Sequence, residues 1–216
     1  MPSAPPKTDL YEFESGLWQE GFRHIMGLDE VGRGCLAGPV VAAGVILDPS
    51  TAHLITGIAD SKLLKADKRE FVAEQIRKHA ISCTVAVCGP EEIDRINILK
   101  ASLLAMAQCA ERSNPPPDFL LIDGNKGIDS LLIRSQTIVK GDGRSASIGA
   151  ASIVAKVHRD RLMAGLHEEY PQFGWDRNVG YPTAHHYKAL QEFGYTRYHR
   201  RSFRLRTEKA IVTSKY

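Results

Sequence analysis

The chain has 216 residues, 28 basic against 25 acidic side chains and 43% hydrophobic residues, which suits one well-filled globular domain and excludes a disordered or fibrous chain. No apolar run approaches the roughly 20 residues that cross a bilayer, and the N-terminal "MPSAPPKTDLYEFES" lacks the apolar stretch of a secretory signal, so a cytoplasmic protein with no membrane partner is expected. Cys35, Cys83, Cys88 and Cys109 form no CxxC pair and no zinc spacing, and are expected to be reduced and partly buried.

In chain order, residues 1–20 read as a flexible leader. "HIMGLDE" and "VVAAGVIL" are apolar runs on either side of a Gly-rich turn, which predicts two antiparallel strands joined by a loop. "KADKREFVAEQIRKHA" places Phe71, Val72, Ile76 and Ala80 on one helical stripe. "ISCTVAVCG" alternates as a strand. "PEEIDRINILKASLLAMAQCAERS" opens on a proline and two acids and reads as a helix with a break near Asn97. "FLLID" and "QTIVKGD" are strands ending in Asp123-Gly124 and Asp142-Gly143. "SASIGAASIVAKVHRDRLMAGLHEEY" is a long Ala-rich helix, and "TAHHYKALQEFG" a final one, capped by Thr183 and stopped by Gly194. These elements predict an α/β sheet covered by helices, with a main domain over 21–175 and a small helical element over 176–216.

Strand ends carry acids at three places: Asp29 with Glu30, Asp123 and Asp142. Ends that share one sheet edge converge, so these carboxylates can face one another. Such a cluster repels itself unless divalent cations neutralise it, and an oxygen-only ligand set favours Mg²⁺ or Mn²⁺ over zinc. Neighbouring residues of a regular strand point to opposite faces, so Asp29 and Glu30 are expected to share a site only if the strand ends or bulges between them. Other motifs carry less. "GRGCLAG" lacks the spacing of a dinucleotide loop and "KGDGRS" that of a phosphate-binding P-loop. His185 and His186 are adjacent on a helix, cannot form an i, i+4 metal pair, and read as helix surface. The segment from Tyr181 to Arg206 is basic and interleaved with aromatics, Arg200, Arg201 and Arg204 among them, which points to nucleic-acid phosphates.

"GLDEVGRGCLAGPVVAAGVIL", "DSK", "LLIDGN", "KGD", "AASIVAKVHRD", "GYPT" and "HRRSF", in this order, resemble the bacterial ribonuclease HII family. The resemblance implies a ribonuclease H-like, mixed five-stranded sheet flanked by helices. It implies endonucleolytic cleavage of RNA paired or joined to DNA, including single ribonucleotides in duplex DNA, with a site holding two Mg²⁺ or Mn²⁺ ions. The family's four metal-binding carboxylates fall on Asp29, Glu30, Asp123 and Asp142, its junction-reading turn on Gly32, Arg33 and Gly34, and its junction tyrosine on Tyr181. Lys62 matches the lysine of "DSK", for which a phosphate contact is expected. Val31 stands where many relatives have alanine. The related ribonuclease HIII branch usually lacks the equivalent of Arg33 and carries an extra N-terminal domain, for which the residues before Gly27 leave no room.

A bare glycine turn can approach a ribose closely and offer amides and carbonyls to a hydroxyl and a phosphate. The expected partners are RNA/DNA hybrid and ribonucleotide-containing duplex DNA, with the protein a monomer and a replication clamp an open question. Two other readings keep part of the pattern: a catalytically silent hybrid-binding protein, and a phosphohydrolase of small nucleotides. The intact acids argue against the first and the basic aromatic segment against the second.

Overall fold

Val40 to Leu47 is apolar at every position because both faces of its strand are covered, and all eight residues are buried. The computed structural model describes residues 9–58 and 64–204. Its elements in chain order are α1 (Glu12–Gln19), β1 (Ile25–Val31), β2 (Val40–Leu47), α2 (Ala66–His79), β3 (Ala80–Cys88), α3 (Pro90–Ile96), α4 (Ile98–Glu111), β4 (Phe119–Asp123), β5 (Arg134–Ile138), α5 (Ala146–Glu169), α6 (Trp175–Asn178) and α7 (Ala184–Phe193). The five strands form one mixed sheet in the order β3-β2-β1-β4-β5. β1 pairs antiparallel with β2 and parallel with β4, and β4 pairs parallel with β5.

Strand alternation sends successive residues to opposite cores. Met26, Leu28, Val40, Ala42 and Ile46 pack against Ala101, Ala105 and Met106 of α4. Val41, Ala43, Val45 and Leu47 pack against Val72, Ala73 and Ile76 of α2 and against Ala150, Ala151 and Val154 of α5. Phe71, expected on the buried stripe of α2, is instead 56% exposed; the stripe turns through Val72, Ala73 and Ile76. The expected break is present: Asn97 has a left-handed φ of 70° and its side chain accepts from the Lys100 amide, capping α4.

The small residues at the start of α5 let that helix lie almost on the backbone of β1. A Cβ at Gly27 would come within 2.1 Å of the Ser147 carbonyl carbon. Gly27→Ala is therefore expected to destabilise the protein by about 3 kcal/mol, the upper end of ordinary overpacking. Denaturant unfolding measures it, and an unchanged midpoint would mean that α5 can shift freely.

Residues 12–19 do not behave as a flexible leader. They form α1, with Leu17 buried beside Ile25, Phe119 and Leu121. Glu14 is fully buried, and its Oε1 accepts from the Ser145 hydroxyl at 2.6 Å and the Ser147 amide at 2.8 Å. A carboxylate at the first turn of α5 satisfies an orphan amide and suits the positive end of the helix. Phe13, Leu17 and Trp18 supply an apolar face to this helix and Glu14 a buried acid; the part played by the acid is what the sequence concealed. A second difference concerns Asp142: β5 ends at Ile138, and Asp142 lies beyond it in a 3-10 turn, Gly141–Gly143. The C-terminal helices share a core with the rest, in which Phe173, Trp175, Ala189 and Leu190 pack on Leu36, Ala37 and Met163.

Candidate active site

The parallel pairing of β1 with β4 runs from Ile25↔Phe119 to Leu28↔Ile122 and stops. β1 continues to Val31 beside β2 alone, so Asp29 and Glu30 overhang an open notch where Asp123 ends β4. The strand neither ends nor bulges between them, contrary to the requirement drawn from alternation. Asp29 faces α5 and accepts from the Ser152 side chain, while Glu30 projects from the other side. Both nevertheless feel the charge of Asp123, because the notch leaves no strand between the two faces. The Gly141 amide donates to Asp123 Oδ1 at 2.7 Å, which holds the adjacent, buried Asp142 beside the same strand end.

Burial pushes the Asp29 carboxyl well above its ordinary range, and Glu30 and Asp123 push it the same way, against the bonds from Ser152 and the Glu30 amide. Burial also raises Glu30, opposed by Arg33, whose Nη1 lies 3.1 Å from Glu30 Oε1. No cation among the described residues offsets the burial of Asp29, whereas Glu30 has Arg33. Among the described residues no three acidic, His or Cys side chains stand ready as a cation cage; Glu30 leans on Arg33 and Asp123 on Gly141 instead. The donor set still fits a hard divalent cation, since it is all oxygen, mutually repelling and free of histidine and thiolate.

The turn after β1 is fastened from behind by two buried arginines. Arg200 is 1% exposed, and it donates through Nε to the Gly38 carbonyl at 3.0 Å, Nη1 to Arg33 at 2.9 Å and Nη2 to Gly32 at 2.7 Å. Arg159, also 1% exposed, donates to the carbonyls of Pro39, Val179 and Ala37. Gly32 has φ of +94°, and a Cβ there would meet Arg159 Nε at 2.2 Å. Arg200 is thus no phosphate ligand, as its charge had suggested; its fork is spent on the turn. The correction extends to the carbonyls of Gly32 and Arg33, which are taken. Since the C=O and N–H of a trans peptide point opposite ways, holding those carbonyls inward turns the amides of Arg33 and Gly34 outward. The turn offers donors, backed by two cations.

Tyr181 stands next to this turn, its ring 3.8 Å from where a Gly34 Cβ would be. The residue is 45% exposed, so it is not a core anchor. Arg201 is exposed on the surface, its amide bonded to Asp94. Lys62 and Arg206 lie outside the described residues. His185 is on the surface as expected, whereas His186 is completely buried. Ser152, Arg159, Glu14 and His186 escaped the sequence reading; "AASIVAKVHRD" held the first two, without any signal separating buried from exposed.

A mixed five-stranded sheet of this order, flanked by helices, is the ribonuclease H-like fold. Two solved structures share it: ribonuclease H2 of Pyrococcus horikoshii, TM-score 0.72 at 24% identity over 84% of this chain and 94% of that one, and the Archaeoglobus fulgidus ribonuclease HII solved in complex with PCNA, TM-score 0.73 at 29% identity over 86% and 97%. The Ribonuclease HII family model matches residues 26–206. Ribonuclease HII of Salinibacter ruber is 50% identical over 91% of this chain and 98% of its own length, and that of Chloroherpeton thalassium 49% over 89% and 95%. The chain belongs to the ribonuclease HII family, the members of which are endoribonucleases that hydrolyse phosphodiesters. No helix among the described residues is long and apolar enough to cross a membrane.

Proposed function

We propose that this protein cuts the RNA strand of RNA/DNA hybrids and the 5′ side of single ribonucleotides in duplex DNA, leaving 3′-hydroxyl and 5′-phosphate ends, for ribonucleotide removal and primer processing. The observation that carries this reading is the adjacency of the strand-end carboxylates to a turn with outward amides and a half-exposed tyrosine. Asp29, Glu30, Asp123 and Asp142 would hold two Mg²⁺ or Mn²⁺ ions, which supply activation of a water and stabilisation of the leaving oxygen. The amides of Arg33 and Gly34 grip phosphate and ribose oxygens, and only RNA presents a 2′-hydroxyl there. The Tyr181 ring packs on the following deoxyribose and favours DNA at that position. Lys62, Arg201 and Arg204 meet flanking phosphates. The chain acts as a monomer; on its likeness to the Archaeoglobus fulgidus protein solved with PCNA, contact with a replication clamp is part of the proposal.

The test is a duplex containing one ribonucleotide, incubated with Mg²⁺ or Mn²⁺. Cleavage 5′ of the ribonucleotide by the parent is expected, with a loss of about 10²-fold in Tyr181→Ala, the equivalent of about 2.7 kcal/mol. Binding without cutting would favour a silent hybrid-binding protein, and hydrolysis of free nucleotides alone a phosphohydrolase.

A further inference from the structure

Behind Tyr181 lies a chain of buried polar side chains that the reaction itself does not use. His186 on α7, His199 and Trp175 are all at most 2% exposed. His186 Nδ1 lies 3.0 Å from the Tyr181 carbonyl oxygen, and His186 Nε2 lies 3.1 Å from His199 Nε2 and 3.3 Å from Trp175 Nε1. His199 Nδ1 in turn lies 3.0 Å from the Thr196 amide and 2.9 Å from the Thr196 hydroxyl.

These contacts fix the protons. The Trp175 indole and the Thr196 amide can only donate. His186 Nε2 is therefore an acceptor and its proton is on Nδ1, pointing at the Tyr181 carbonyl. His199 Nδ1 is likewise an acceptor, so its proton is on Nε2 and is donated to His186. With both rings neutral every donor has an acceptor, His186 Nε2 sharing its one lone pair between the Trp175 and His199 donors, and the bonds run one way, from Thr196 through His199 and His186 to Tyr181. Any other pair of neutral tautomers sets two donors or two acceptors face to face.

The relay also joins two separate pieces of the substrate-reading surface. His199 pairs as an isolated bridge with Ala37, the Arg200 amide donates to the Leu36 carbonyl and the Leu36 amide to Gly180. The side chain of the next residue, Arg200, holds the carbonyls of Gly32 and Arg33. The strip from Tyr198 to Arg200 thus reaches the turn through Arg200 and the tyrosine through His199.

We infer that His186 and His199 are positioning residues, a one-way hydrogen-bond relay that fixes Tyr181 relative to the Gly32–Gly34 turn and so sets how well the enzyme recognises a ribonucleotide followed by DNA. The inference rests on the junction reading proposed above. It assigns neither histidine a contact with substrate.

Two measurements test it on the full-length protein. The first is imidazole ¹⁵N NMR of the parent at neutral pH, where protons on His186 Nδ1 and His199 Nε2 are expected; the opposite tautomer at either ring overturns the relay. The second is kcat and KM on the single-ribonucleotide duplex, with thermal melting as the folding control. His199→Leu is expected to raise KM about 10-fold, the equivalent of one buried hydrogen bond. His199→Gln, which can keep an N–H where Nε2 stood, should recover to within about 3-fold, a residue of roughly half that hydrogen bond. In a Tyr181→Ala background His199→Leu should add nothing further, since both changes act through one ring. Equal defects in the Leu and Gln variants, or effects that multiply with Tyr181→Ala, overturn the positioning role. If Tyr181→Ala itself cuts normally, the junction reading falls and takes the functional half of the inference with it. Normal cutting by His199→Leu beside a crippled Tyr181→Ala sinks the relay alone.

Discussion

Asp29→Asn is expected to abolish cleavage while making the metal-free protein harder to melt. The substitution keeps shape and leaves an oxygen for the Glu30 amide, which bonds Asp29 Oδ1 at 2.7 Å in the parent. What it removes is one charge of a buried cluster. If one lost ligand withdraws about 4 kcal/mol of transition-state stabilisation, turnover falls about 10³-fold. The stability effect has the opposite sign. The folded state raises the Asp29 carboxyl above its unfolded value, chiefly by burial and then by Glu30 and Asp123. The stabilisation from this group is therefore complete below the unfolded pKa and is lost as pH rises through the folded one. At neutral pH without metal, folding of the parent must either bury this carboxyl as an anion or take up a proton to avoid doing so, a cost that the variant lacks. Melting in chelator should place Asp29→Asn above the parent at pH 7 and level with it in acid. Added Mg²⁺ should then raise the parent more than the variant, because binding to the folded state stabilises it by mass action. Identical melting at both pH values, with and without metal, would falsify the assignment of Asp29 to a metal-binding cluster.

The strands and most helices were legible because their signals are local. Val40 to Leu47 announces a strand covered on both faces, Asn97 breaks a helix by its own backbone, and Thr183 caps α7 as its side chain dictates, accepting from the His186 amide at 3.2 Å. The nearness of Asp29 and Glu30 to Asp123 was legible because the ends of the paired strands β1 and β4 lie side by side. Residues whose role depends on burial were not. His186 looks like any polar residue of an amphipathic helix until His199 and Trp175, from outside that helix, close over it. Glu14 looks like a solvated acid in a leader until the start of α5 is found above it. The position of Asp142 was misjudged for a related reason: "QTIVKGD" continues apolar past Ile138, but the left-handed Lys140, with φ of 56°, turns the chain out of the sheet before the acid is reached.

Arg200 and Arg201 are adjacent, identical in type and read alike from sequence, yet their leucine variants are expected to fail differently. Arg200→Leu leaves the Arg33 and Gly38 carbonyls without the guanidinium donors they have at 2.9 and 3.0 Å, and the Gly32 carbonyl keeps only a 3.4 Å contact from the Cys35 amide. At about 1 to 3 kcal/mol for each buried group left unsatisfied, the loss should total about 3 to 5 kcal/mol. For a chain of this size that lowers the melting temperature by about 10 °C or more. Burial pulls the Arg200 pKa down to about 10, so the group is charged at neutral pH, and its removal also takes a cation from behind the outward amides. Cleavage should therefore fall even at temperatures where the variant is folded. Arg200→Lys should not rescue it, because an ammonium on a flexible stem cannot reproduce a planar three-way fork. Arg201 is exposed, and its fold contact is made by its backbone amide, so Arg201→Leu should stay within about 0.5 kcal/mol of the parent. Its effect should appear in binding, as a loss across all duplexes with a salt slope shallower by about 0.9, the value of one phosphate contact. If Arg200→Leu melts with the parent and instead flattens the salt slope, the fork is not what holds the turn, and Arg200 reaches the nucleic acid after all.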